Sequence, residues 1–270
     1  MKIALVQQHS THNKVDNVAR GIKALEEAAS HGAQLVAYPE LAFDFFLPQH
    51  PASWETLRLA EPIPGPVTEI FSEKAKELET VIVLNIFERE GNRTYDSSPV
   101  INSDGKIVGK TRMVHILEAP CFHEKGYYSP GNLGAGVFDT AVGRIGIAIC
   151  YDRHFPEYMR ALALKDAQLV VVPQAGAVGE WPNGIFEAEL QIAAFQNGYF
   201  AALVNRVGKE ETLTFIGGSF ATSPTGEIVA RAPAGRDYIL YADLNLEQLG
   251  DCPARKYFLS DRRPDIYTTL

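Results

Sequence analysis

Three residues in this 270-residue chain have types that together could open an amide: a thiol, a carboxylate and an ammonium. Cys150 closes the apolar run 143–149, Glu40 follows the run 35–38, and Lys110 follows the run 106–108. Amides and ureas are poor electrophiles, so attack on them needs a strong nucleophile and positive charge placed where the oxyanion forms. A thiol becomes that nucleophile when a nearby cation favours its deprotonation. A carboxylate can take the thiol proton, return it to the departing nitrogen, and then activate water. Taken singly these residues say little. A cysteine ending an apolar strand is usually inert core, a lone lysine is usually solvated, and a glutamate after a proline can cap the chain. Their shared position carries the argument, because ligand sites in α/β sheets lie beyond the carboxyl ends of strands.

The elements that must deliver them alternate. Residues 3–8 form a short apolar run that reads as a buried strand. A helix follows over 15–31, with Val15, Val18, Ala19, Ile22, Leu25 and Ala29 on one face and Gly32 as its stop. Strands are expected at 35–38 and 81–87, with a helix over 67–78 between them. Ser103-Asp104-Gly105 marks a hairpin joining 100–102 to 106–108. Residues 111–136 read as loop. In the run 144–150, Ile145, Ile147 and Ile149 alternate with Gly146, Ala148 and Cys150. The small face would admit a second sheet or a substrate. Helices at 156–165 and 186–197 alternate with strands at 169–172 and 199–205, and the stretch 215–243 reads as strand-rich. No linker or repeat interrupts residues 1–250, and 251–270 is expected to be a polar tail packing on a neighbouring subunit.

Four segments resemble the motifs of the nitrilase superfamily of carbon–nitrogen hydrolases. They are Tyr38-Pro39-Glu40-Leu41, the stretch from Gly109-Lys110 to His115, the stretch Glu124 to Gly131, and the stretch from Gly146 through Cys150-Tyr151-Asp152-Arg153 to Glu157. The resemblance implies a four-layer αββα sandwich of class α/β that assembles as homodimers or larger even-numbered homo-oligomers. It implies Glu40 as general base, Lys110 as oxyanion stabiliser, Cys150 as nucleophile and Glu124 as a supporting carboxylate. The backbone N–H of Tyr151, next after the nucleophile, is the natural second oxyanion donor. Within the superfamily the chain is similar to the branch of N-carbamoyl-amino-acid hydrolases, β-ureidopropionases and N-carbamoylputrescine amidases. In the first two groups an arginine at the place of Arg153 grips a substrate carboxylate, for which a guanidinium fork is suited. Paired instead with Asp152 or Glu157, Arg153 would touch no ligand. Trp181 would line the pocket or sit in the core. Phe122 stands where the D-carbamoylases carry a histidine.

The expected activity is therefore hydrolysis of a non-peptide C–N bond in a small molecule, with an N-carbamoyl acid favoured. The alternatives are an aliphatic or ω-amide, carbamoylputrescine or a nitrile; an inactive scaffold is the reading from another class. No cofactor or metal is expected. The histidines are too scattered for zinc, and Gly131-Asn132-Leu133-Gly134-Ala135-Gly136 neither follows a strand nor opens a helix as a dinucleotide loop would. A net charge of −8 without a basic run argues against nucleic acid and anionic membranes. Three unpaired, widely spaced cysteines fit a reducing, cytoplasmic setting.

Overall fold

The computed structural model describes residues 1–267. Two sheets form the frame. In the first, strands Tyr238–Asp243, Lys2–Gln7, Leu35–Ala37, Val81–Val83, Arg93–Ile101 and Ile86–Glu90 follow in that order, and Ile107–Arg112 pairs with Arg93–Ile101. The second runs Ile228–Arg231, Phe220–Thr222, Phe200–Asn205, Leu169–Gln174, Gly143–Ile147 and Val137–Thr140. The centre of each sheet is parallel: Lys2–Gln7 with Leu35–Ala37 and Val81–Val83, and Gly143–Ile147 with Leu169–Gln174 and Phe200–Asn205.

Period-two alternation sorts the side chains into layers. Ile3, Leu5, Leu35, Ala37, Val81 and Val83 meet Ile145, Ile147, Leu169, Val171, Ala202 and Val204 in the core between the sheets. Their neighbours Ala4, Val6, Val36 and Ile82 turn outward onto Leu25 and Ala28 of helix Lys14–Ser30 and onto Phe71 and Ala75 of helix Pro66–Glu77. On the far side Ala148, Val170, Val172, Ala201 and Leu203 pack on Met159 and Leu162 of helix Pro156–Leu164 and on Leu190 and Ala194 of helix Ile185–Asn197. The order is helix, sheet, sheet, helix, which is the four-layer αββα architecture. Strands buried on both faces read as continuous apolar runs, which is why so few residues suffice to mark them. Asn13 caps the first helix by accepting the Asp16 N–H.

Two expectations need correcting. The small face of the run before Cys150 meets neither the second sheet nor a substrate. A side chain at Gly146 would sit 3.1 Å from Ala167 and 3.4 Å from Leu162, so this face admits the helix layer while the isoleucines meet the other sheet. The expected strand 81–87 is broken, and the long strand Arg93–Ile101 lies mostly outside the expected hairpin. Residues 251–267 pack on their own chain. Cys252 is buried, and Arg255 donates to the Gly198 and Ala167 carbonyls at 2.7 and 2.8 Å. Residues 268–270 of the expected tail lie outside the described residues. Among the described residues no helix is long and apolar enough to cross a membrane.

Candidate active site

Glu40, Glu124 and Cys150 converge at one end of the core between the sheets. Glu40 and Glu124 are fully buried, and Cys150 is 5% exposed. The Cys150 thiol lies close enough to Glu40 and Glu124 for the charges of both carboxyls to act on it.

Each side chain is positioned by a sharp backbone feature. Leu41, next after Glu40, has φ of 45°, and its N–H donates to Asn85 Oδ1 at 2.7 Å. The buried Arg206 guanidinium donates to the carbonyls of Glu40 and Asp44 at 2.9 and 3.0 Å, to the Leu41 carbonyl, and to Glu210. Cys150 has φ of 41° where strand Gly143–Ile147 gives way to the tight helical turn Cys150–His154. A non-glycine residue in left-handed backbone is strained, and such strain persists where the surroundings over-determine it. Here Asp152 does so. Its carboxylate accepts the N–H groups of Val114 and His115 at 3.1 and 2.9 Å and faces His115 Nδ1 at 2.7 Å. Glu124 opens a short helical turn, and its Oε2 accepts the Leu117 N–H at 3.1 Å.

The structure does not bring Lys110 to this group. Strand Ile107–Arg112 pairs Ser97 with Arg112, Ser98 with Thr111 and Pro99 with Lys110. Lys110 and Arg112 therefore share one face with Ser97, and there the Lys110 ammonium pairs with the buried Glu88 and lies 3.5 Å from Glu90. Arg112 joins the same cluster, stacked 3.9 Å over the Tyr95 ring. Thr111 and Met113 occupy the opposite face, toward the other sheet. Met113 is buried in the core that holds Cys150, and its N–H donates to the Asp96 carbonyl at 2.9 Å. A thioether carries no charge, so the strand sends no cation into the site.

Sequence reasoning missed Asp96 and Tyr128. Asp96 is buried within hydrogen-bonding range of Glu40 and receives Asn85 Nδ2 at 2.5 Å. The one signal for it is the polar run Asp96-Ser97-Ser98, which lies inside a strand that apolar patterning does not mark. Tyr128 is buried among Asp96, Glu40 and Glu124.

The electrostatics follow from burial without a compensating lysine. Burial, reinforced by Glu124, pushes the Glu40 carboxyl up to about 8. Burial likewise holds Glu124 well above the ordinary carboxylate range, and burial with the Glu40 charge does so for Asp96. The Cys150 thiol is pushed well up by burial and then by Glu40 and Glu124, with Arg153 pulling the other way. Both nearby guanidinium groups are already engaged. Arg153 donates to the Cys150 carbonyl at 2.9 Å and to Gln174 at 2.7 Å, lies 3.2 Å from Glu189, and stacks on Phe186. Neither Asp152 nor Glu157 is its partner; its Nη2 stays buried without one. Trp181 is half-buried, donates to Glu180 at 2.8 Å and meets the His154 ring edge-on. Tyr151 follows Cys150 in the tight turn.

A buried thiol with carboxylates at the end of a four-layer αββα sandwich defines a thiol-dependent hydrolase site. The carbon–nitrogen hydrolase family model matches residues 2–254. The chain is 32% identical to a citrullinase of Francisella tularensis, with 100% of this chain and 98% of the relative covered. It is 34% identical to an N-carbamoylputrescine amidase of Oryza sativa, covering 100% and 94%. A carbon–nitrogen hydrolase of Helicobacter pylori superposes with a TM-score of 0.93 at 29% identity, covering 99% and 97%. An amidase of Nesterenkonia superposes at 0.84 with 25% identity, covering 100% and 96%; it carries the acetamide moiety of fluoroacetamide on its active-site cysteine. The chain belongs to the carbon–nitrogen hydrolase family, as the four motifs implied, and is a cysteine-dependent hydrolase of non-peptide C–N bonds in small molecules.

Proposed function

We propose that Cys150 attacks the carbonyl carbon of a small N-carbamoyl compound, with Glu40 as the proton carrier. The observation that carries this reading is the thiol of a strained strand-end cysteine set against a buried carboxylate. Glu40 accepts the thiol proton and passes it to the departing nitrogen. A carbamoyl-thioester remains, and Glu40 then draws a proton from water to clear it. The Tyr151 N–H is the proposed oxyanion donor, and Glu124 orients the 117–124 turn around the reacting carbonyl.

Two full-length relatives support the N-carbamoyl choice, since citrulline and N-carbamoylputrescine both carry that group. Support for an acid in particular rests on Arg153, whose unpartnered Nη2 is the donor left for a carboxylate. Its other contacts make it equally a brace for the Cys150 turn. Ammonia release from N-carbamoyl amino acids, N-carbamoylputrescine, ω-amides and nitriles, run with the parent and Cys150→Ala proteins, tests the proposal. Turnover of an N-carbamoyl compound should vanish in the variant. Full activity in Cys150→Ala refutes the assignment. We also infer an even-numbered homo-oligomer in a cytoplasmic setting. Exposed Leu164 and Ile192 on the outer helices support the former, and the unpaired cysteines support the latter.

A further inference from the structure

The chemistry above needs positive charge beside the thiol, and among the described residues the guanidinium whose charge acts on it, that of Arg153, is largely held by other groups, with only part of its fork left without a partner. Arg206 is spent on three carbonyls and Glu210, Arg153 on the Cys150 carbonyl, Gln174 and Glu189, and Lys110 on the far face of its strand. Meanwhile both carboxyl oxygens of Glu40, Oδ2 of Asp96 and Oε1 of Glu124 are buried, and among the described residues no N–H or hydroxyl group is placed to donate to them. Buried carboxylate oxygens are normally satisfied, and a cluster of orphans needs an explanation. Among the described residues no group of three acidic, histidine or cysteine side chains is arranged to hold a metal ion. A cation with several N–H donors is the better match for acceptors spread over three side chains.

We propose that the space bounded by Glu40, Asp96, Glu124, Met113 and Cys150 binds a small ammonium-type cation, ammonium itself or a primary alkylammonium, which activates the thiol. The cation donates N–H bonds to the orphan oxygens. Binding exchanges charge with solvent: a carboxylic acid plus RNH3+ becomes a carboxylate–ammonium pair plus a released proton. The ionised Glu40 can then take the thiol proton as the sulfur attacks, and the ammonium balances the negative charge that develops. The proposal rests on Cys150 being the reacting thiol, as assigned above, and adds that its activator comes from outside the chain.

The test is the alkylation rate of Cys150 by iodoacetamide, read by mass spectrometry on the Cys150 peptide. It is run in methylammonium chloride and in sodium chloride or tetramethylammonium chloride of equal ionic strength. Methylammonium should accelerate labelling at least tenfold and saturably, and tetramethylammonium, which has no N–H, should not. Met113→Lys should label at the accelerated rate without amine and lose the response to it. Calorimetric titration of methylammonium into Cys150→Ala protein should show one site that Glu124→Gln weakens at least tenfold. Absence of saturable binding, or binding without acceleration, overturns the proposal. Because these readouts need no turnover, they separate it from failure of the hydrolase assignment, which shows as silence in the ammonia-release screen.

Discussion

Replacing Glu40 by glutamine should stabilise the protein, and increasingly so as pH rises. A carboxyl moved from 4.5 to about 8 binds its proton more tightly in the folded than in the unfolded chain. The stability this confers is fully present below pH 4.5 and is lost as pH rises through 8, where the buried carboxylate must ionise without a paired lysine. At about 1.4 kcal/mol per pH unit, the loss is about 1 kcal/mol at pH 5, about 3 at pH 7 and about 5 at pH 9. Glutamine keeps the shape and never ionises, so Glu40→Gln escapes the loss. The gap between the two proteins should widen by about 4 kcal/mol from pH 5 to pH 9. At about 2–4 °C per kcal/mol for a chain of this size, the melting temperatures should diverge by about 10 °C. Calorimetric melts of both proteins at pH 5, 7 and 9 measure this, with Asp96 and Glu124 common to both. Parallel pH dependences would show that Glu40 ionises as freely folded as unfolded, and the account of an uncompensated carboxylate cluster would fall. The same substitution should abolish turnover, because a site held away from its electrostatic optimum gives up stability for function.

Lys110→Met should leave kcat unchanged and cost about 1 kcal/mol in urea unfolding, because Glu88 keeps Arg112 and Ser97 as partners; a large drop in kcat at unchanged fold would place the ammonium in the reaction after all. Arg206→Met should cost about 3–5 kcal/mol, because it strands buried Glu210 and frees the Glu40–Asp44 turn. Urea midpoints and circular dichroism read this, and a loss under 1 kcal/mol would mean that the turn holds itself.

The central strands were legible because strands buried on both faces show as bare apolar runs: residues 3–6, 35–37, 81–83, 145–149 and 169–172 need no partner to be recognised, while their four-layer arrangement was implied by the motif resemblance. The strand Arg93–Ile101 escaped for the opposite reason. Its Asp96, Ser97 and Ser98 are buried through hydrogen bonds with Asn85 and Glu88, a satisfaction supplied from the neighbouring segment 85–88 and invisible along the chain. The same blind spot hid where Ile107–Arg112 ends. With the strand taken to stop at 108, Lys110 looked like a strand-end residue free to reach the thiol.

In a strand the difference between two neighbouring positions is a change of face, so motif order along the chain cannot assign a side chain to a site unless register is also known. Lys110 and Met113 differ by three positions, an odd number, and that parity separates a structural ion pair with Glu88 from a place in the core between the sheets. Glu40 and Cys150 did not depend on such a count. Each ends its strand in left-handed or adjoining backbone, where the pleat has stopped and the turn itself aims the side chain. The two residues whose placement followed from chain termination met as the motifs implied; the one whose placement depended on alternation did not. The consequence for catalysis is a charge deficit. A thiol and three carboxyl groups lie together in a buried site without the lysine that the motifs implied, so burial and the carboxyls' charges on one another push all four upward, with Arg153 pulling the thiol the other way.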